Sequence, residues 1–282
     1  MSTIRATAPH RIVITRMVML YLLLILIWRA YSHILPFQLA EPPLTRVDYD
    51  LSFWAFKLSG LSEILVMNRT GSIIYTTSLI LNCLACIVFP RNRWLMLSFS
   101  FLFLLLGIIF NVYLTHSSHV LGGALIITIP FWAAKNRNFE TLWDALRYYV
   151  CWIYFSAFLW KVVNGSMFQA DFGSLTMKRN LAEYLYHNPG TIKAHIYSYF
   201  ISHPFLPDIG DKVVYLLEGF FLAGFFTKRY DKILAILLIA IHLITYFFTD
   251  RLFIELCILV FPLISVAAWE RISSKLPRRV SR

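Results

Sequence analysis

Residues 94–114 read WLMLSFSFLFLLLGIIFNVYL, twenty-one positions without a charge. A helix rises about 1.5 Å per residue and the hydrocarbon core of a bilayer is about 30 Å thick, so this stretch is long enough to cross it. It lacks the alternation of a barrel strand, and a helix satisfies its own backbone where no water is present. Comparable runs lie near 13–30, 72–89, 118–134, 148–164, 213–227, 232–249 and 252–269. The expected fold is therefore all-α: a polytopic membrane helix bundle of about eight transmembrane helices, forming a single transmembrane domain over 1–282.

Composition points the same way. Of the 282 residues, 59% are hydrophobic and only 15% charged, with mean hydropathy +0.65. A soluble domain of this length cannot hide so much apolar surface. That excludes a soluble enzyme, a disordered tail and a disulfide-stapled secreted scaffold. The four cysteines, Cys83, Cys86, Cys151 and Cys257, all fall inside apolar runs and carry no secreted-disulfide pattern. The first run is followed by Arg29 and Tyr31 without a small-residue cleavage site, so it reads as a retained span.

The net charge of +11 reports topology rather than nucleic-acid binding, and no nucleic-acid partner is expected. Arg5, Arg11 and Arg16 stand before or at the start of the first span. Arg91 and Arg93, then Lys135, Arg137 and Arg147, then Lys228, Arg229 and Lys232 fill alternate connections, and Arg271, Lys275, Arg278, Arg279 and Arg282 close the tail. All of these share one side if the span count is even. The positive-inside rule makes that side cytoplasmic, with both termini there, in a multi-pass protein of the cell inner (plasma) membrane. Two long segments, 31–71 and 165–212, become extracytoplasmic loops. Each is expected to hold an interfacial helix: the apolar stretch Leu51–Met67 is interrupted by Lys57 and Glu63, and 165–212 is aromatic-rich and mixed in charge.

Ionisable residues inside spans are costly and so are candidates for function. Lys161, Glu218, His242 and Glu255 stand in four different spans. The alternating topology puts all four roughly 5–12 Å beneath the outer boundary. One ammonium and two carboxylates at one depth pair rather than face lipid. Lys161 with Glu218 or Glu255 is the natural ion pair, and the remaining carboxylate would share a proton with His242. The alternative is four separate interfacial residues, with Lys161 snorkelling and Glu255 at the mouth of its helix.

His116 and His119, on the turn before the fourth span, are three residues apart and are candidates for a second layer of the site or for a metal, with solvated turn histidines as the alternative. They supply too few ligands for a metal by themselves, and no metal is assigned. Cys83 and Cys86 form a CxxC set among Leu and Ile; small helix-packing residues is the better reading than a redox pair. Asn68-Arg69-Thr70 and Asn164-Gly165-Ser166 fit the glycosylation sequon. No P-loop, dinucleotide-binding glycine pattern, nucleophile elbow or HExxH motif is present.

One ordered series carries a resemblance. Thr115-His116-Ser117-Ser118-His119 opens an apolar run, Tyr154-Phe155-Ser156-Ala157-Phe158-Leu159-Trp160-Lys161 ends on a lysine, Leu216-Leu217-Glu218 brings a carboxylate, and Ile241-His242 a histidine one helix later. Over about 112–262 the chain resembles the HTTM family, the membrane domain shared with vitamin K-dependent γ-carboxylase. It is most similar to the short, bacterial-type members without the lumenal domain. The resemblance implies Lys161 as catalytic base and a quinol-like (reduced quinone) or lipid-soluble partner. It leaves open a lysine-base enzyme or a peptide-maturation factor. The runner-up is a non-catalytic membrane subunit or scaffold, whose outer loops bind a partner membrane or secreted protein. A transporter ranks last, since no inverted repeat or Gly/Pro-broken helix pair is visible.

Overall fold

The structure, a computed structural model, describes residues 8–39, 51–114, 118–250 and 253–275, apart from the side chains of 118–120. Among the described residues every regular element is helical. The first six helices are α1 (Pro9–Tyr31), α2 (Leu51–Leu58), α3 (Arg69–Val88), α4 (Arg93–Tyr113), α5 (Ser118–Ile126) and α6 (Asn136–Val163). They are followed by α7 (Phe172–His187), α8 (Ile192–Ser202), α9 (Phe205–Gly219) and α10 (Ala223–Phe226), then α11 (Asp231–Thr249), α12 (Ile254–Cys257) and α13 (Val266–Lys275).

Among the described residues, four helices are long and apolar enough to cross a membrane: α1 with its continuation to Gln38, α3, α4 and α11. A bent pair, Ile254–Leu263 with Val266–Lys275, raises the number to five. The sequence suggested eight, and the shortfall has local causes. The 118–134 run is a nine-residue helix followed by a 3-10 turn that begins at Ile129 and contains Pro130. The 213–227 run is the end of α9, separated from four-residue α10 by a 3-10 turn at Phe220–Leu222. The 252–269 run is interrupted by 3-10 geometry around Pro262. A proline removes a backbone donor, so an apolar run containing one need not be a continuous helix. Helix α6 has 28 residues, but Arg137, Glu140, Asp144, Arg147 and Lys161 leave it less apolar than the four. Among their described residues the two long connections also contain helices: 31–71 holds α2 and a π-helical turn at Glu63–Met67, and 165–212 holds α7, α8 and the start of α9.

The chain divides into two compact units, Met1–Leu146 with Ser265–Arg282, and Arg147–Ile264. In the first unit α3 packs on α1 and α4. Asn68 caps α3 by accepting from the Gly71 N–H, and Asn92 caps α4 by accepting from Trp94 and Leu95. Buried Met96, Phe99, Phe103, Leu106, Phe110 and Tyr113 recur every three or four residues along α4, whereas Phe101 and Leu104 lie exposed on another face. A helix apolar on every face suits a membrane. Polar side chains within these helices bond to neighbouring helices. The Tyr75 hydroxyl donates to the Leu102 carbonyl at 2.7 Å, Asn82 Nδ2 to Ser98 Oγ at 2.7 Å, and Cys83 Sγ to the Met19 carbonyl at 3.4 Å. Cys83 and Cys86 are buried free thiols in this packing.

In the second unit α7 packs on α9, α11 and α8. Met177, Leu181 and Tyr197 form its buried cluster, joined by Phe200, Phe247 and Phe248. Close approach of α7 to the start of α9 depends on Gly173. A Cβ there would lie 2.8 Å from the Pro207 carbonyl carbon, and closer still to its oxygen. The adjoining Ser174 N–H donates to Asp208 Oδ1 at 2.7 Å. Gly173→Val is expected to destabilise this unit by about 1–3 kcal/mol, because backbone rather than a movable side chain meets the new atoms. Thermal unfolding in detergent checks this, with Gly190→Ala, where a Cβ meets open space, as the unaffected control.

Candidate functional site

Helix α6 presents Tyr154 and Lys161 seven residues apart, hence on one face. It ends directly after the lysine. The Asn164 N–H donates to the Trp160 carbonyl at 2.9 Å, and Gly165 takes φ +79°, a left-handed conformation that glycine adopts without a Cβ penalty. The chain then makes a 3-10 turn at Ser166–Phe168. Lys212, on α9, donates to the Ser166 carbonyl at 3.1 Å and the Gln169 carbonyl at 2.8 Å. Helix α9 is thereby tied to the turn that terminates α6, and Glu218 is brought to Lys161.

Lys161 Nζ donates to Glu218 Oε1 at 2.6 Å, and Oε2 also accepts from it. The lysine side chain is 25% exposed and the glutamate 9%, so the pair opens on its lysine side. Nζ also lies 4.7 Å from the centroid of the Tyr215 ring, and Lys212 Nζ lies 5.4 Å from the same ring. An aromatic ring within this distance of two ammonium groups attracts both through its quadrupole. Asp211, Tyr215 and Glu218 follow each other at four and three residues and share one face of α9.

Burial raises the Asp211 carboxyl above its ordinary value of 3.8, against the opposing pull of the Tyr215 hydroxyl and Lys212. A carboxyl with a raised folded-state pKa contributes stability that is complete below the ordinary value and fades as pH rises through the folded one. Asp211→Asn is therefore expected to raise the melting temperature at neutral pH relative to the parent, with the gain vanishing toward pH 3–4. A melting series across that pH range checks the sign.

The sequence offered His242 a leftover carboxylate. The structure instead gives its Nε2 the Tyr154 hydroxyl at 2.7 Å. Tyr154 also stacks on Phe221, with centroids 4.5 Å apart. The face that carries Lys161 thus serves His242 two turns earlier, and it does so with a phenol. Glu255 is wholly buried on α12 in the same unit; the partner of Lys161 is Glu218. His116 and the side chain of His119 lie outside the described residues. Among the described residues, no three His, Cys, Asp or Glu side chains are disposed to hold a metal ion.

Two ion pairs were not anticipated from the sequence. Arg147, 2% exposed, grips Asp231 through Nε at 2.8 and 3.0 Å and Nη2 at 2.6 Å; Nη2 also donates to the Thr227 carbonyl at 2.9 Å. This joins α6 to the first turn of α11. The signal was an arginine within the apolar half of α6, which the sequence reading assigns to a connection, and an aspartate at a helix start. Lys193 meets Asp250 at 2.5 Å, with the rings of Tyr184 and Tyr197 4.3 and 5.5 Å away. Burial works against the Lys193 ammonium, but Asp250 outweighs it and holds the pKa above the ordinary lysine value.

No family model matches the chain, and no curated protein and no solved structure matches it. What the site can do follows from its own groups. It holds one proton between an amine and a carboxylate in a mostly buried setting, on an aromatic platform, with a second phenol–imidazole pair further down α6.

Proposed function

We propose that the chain is an HTTM-like multi-pass membrane protein whose working group is Lys161, acting as a base on a quinol-like or lipid-soluble partner or in the maturation of a peptide. The observation that carries this reading is the Lys161–Glu218 pair, open on the lysine side and seated on Tyr215. Passing one proton from Nζ to Glu218 leaves a neutral amine beside a neutral acid. A neutral amine is the form a general base requires. Tyr154, on the Lys161 face of α6, and His242 of α11, bonded to it, would hold or relay the proton.

In this reading the four long apolar helices are crossings, and the four remaining apolar runs cross as shorter, broken or less apolar helices. Both termini are cytoplasmic and the site faces outward at the cell inner membrane, a topology supported by the distribution of basic residues. The second reading, a non-catalytic subunit or scaffold, is favoured by the three ion pairs that tie helix to helix in the second unit.

Complementation of a deletion strain separates the two. The base reading expects Lys161→Ala and the swap Lys161→Glu with Glu218→Lys both to lose the cellular function, although the swap restores folding. Full function in the swapped protein overturns the base reading and leaves the scaffold.

A further inference from the structure

In the first unit a cleft of about 230 Å³ lies between α4 and α5, with α2 at one end. Its walls are Phe103, Leu104, Ile108, Leu121 and Leu125. Its floor contains one glycine from each helix, Gly107 and Gly122, and a Cβ on either would meet nothing within 4 Å. Leu104 is 43% exposed and belongs to the outer apolar face of a membrane-length helix, so the cleft opens where hydrocarbon lies. The volume is roughly one and a half times that of a ~150 Å³ cavity that takes up benzene, enough for a segment of a single hydrocarbon chain. A helix, about 10–12 Å across with its side chains, does not fit.

One end of the cleft is polar. Asn111 Nδ2 donates to Ser52 Oγ at 2.7 Å, and both residues line it. On either side of Asn111 along α4, Phe110 lies 5.5 Å from the Arg29 guanidinium and Tyr113 lies 5.2 Å from the Lys57 ammonium. An apolar slot one chain wide, an amide and hydroxyl at its end, and two cations at that level match an anionic phospholipid from tail to phosphate. We propose that this cleft holds one acyl chain of an anionic phospholipid, its ester region at Ser52 and Asn111 and its phosphate toward Arg29 and Lys57. The site lies in the other unit from Lys161 and does not rest on the function proposed above.

The full chain, reconstituted in vesicles of phosphatidylglycerol and phosphatidylcholine, is photolabelled with phosphatidylglycerol carrying a mid-chain diazirine. Label is expected to concentrate on 103–111 and 121–125, and to be lost in Gly107→Leu with Gly122→Leu. The preference for the phosphatidylglycerol probe over its phosphatidylcholine counterpart is expected to disappear in Arg29→Gln with Lys57→Gln. Label spread evenly over the exposed faces of α4 and α11 in the unsubstituted protein overturns the proposal, whether or not the filled variant folds. So does labelling that survives filling of the cleft, or that is displaced by a quinone and not by excess phosphatidylglycerol.

Discussion

Arg147→Ala is expected to cost about 3–5 kcal/mol, a large fraction of the stability of a domain. The arginine is 2% exposed, and its removal strands the Asp231 carboxylate away from water and the Thr227 carbonyl without this donor. An uncompensated buried charge is more damaging than the absence of the whole pair. The double variant Arg147→Met with Asp231→Leu is therefore expected to recover most of the loss, whereas Asp231→Ala alone, which strands the guanidinium, is not. Thermal unfolding of detergent-purified protein reads all three. If Arg147→Ala melts with the parent, the pair is not buried as described.

Lys161→Met is expected to cost about 2–3 kcal/mol, less than Arg147→Ala because the lysine side chain is less deeply buried than the arginine. Glu218 is the group left behind, and it is the more deeply buried partner. Lys161→Arg is expected to keep most of the stability, since a guanidinium can still meet the carboxylate. It is also expected to lose the function proposed, because an arginine does not give up its proton. Stability and function thus separate at one position, which a purely structural lysine would not permit. Melting temperature and complementation, measured on the same two variants, decide it.

Much of the long-helix framework was legible in the sequence. The runs 13–30, 72–89, 94–114 and 232–249 correspond to α1, α3, α4 and α11 within a few residues at each end. Their length and uniform apolarity leave a helix little competition. Of the other four runs, 118–134, 213–227 and 252–269 are interrupted, because apolar content does not report continuity, and 148–164 lies in continuous but less apolar α6. Pro130 and Pro262 stand inside two of them and were visible. The break at Phe220–Leu222 has no such marker.

At the site, a buried lysine called for a carboxylate, but the choice between Glu218 and Glu255 depends on which helix packs against α6. The Ser166–Phe168 turn and Lys212 determine that in three dimensions. Tyr154 escaped notice because a tyrosine in an apolar run reads as packing. Its spacing of seven from Lys161 was the available signal. Arg147 was hidden by the assumption that charges near span ends are solvated.

A double-mutant cycle between Lys161→Met and Glu218→Gln, read by thermal unfolding of the full chain, tests the centre of this account. Side chains in direct contact are expected to show a coupling energy of about 1 kcal/mol or more. Costs that add to within about 0.3–0.5 kcal/mol would mean that the two residues do not meet, and the proposed site would fall with them.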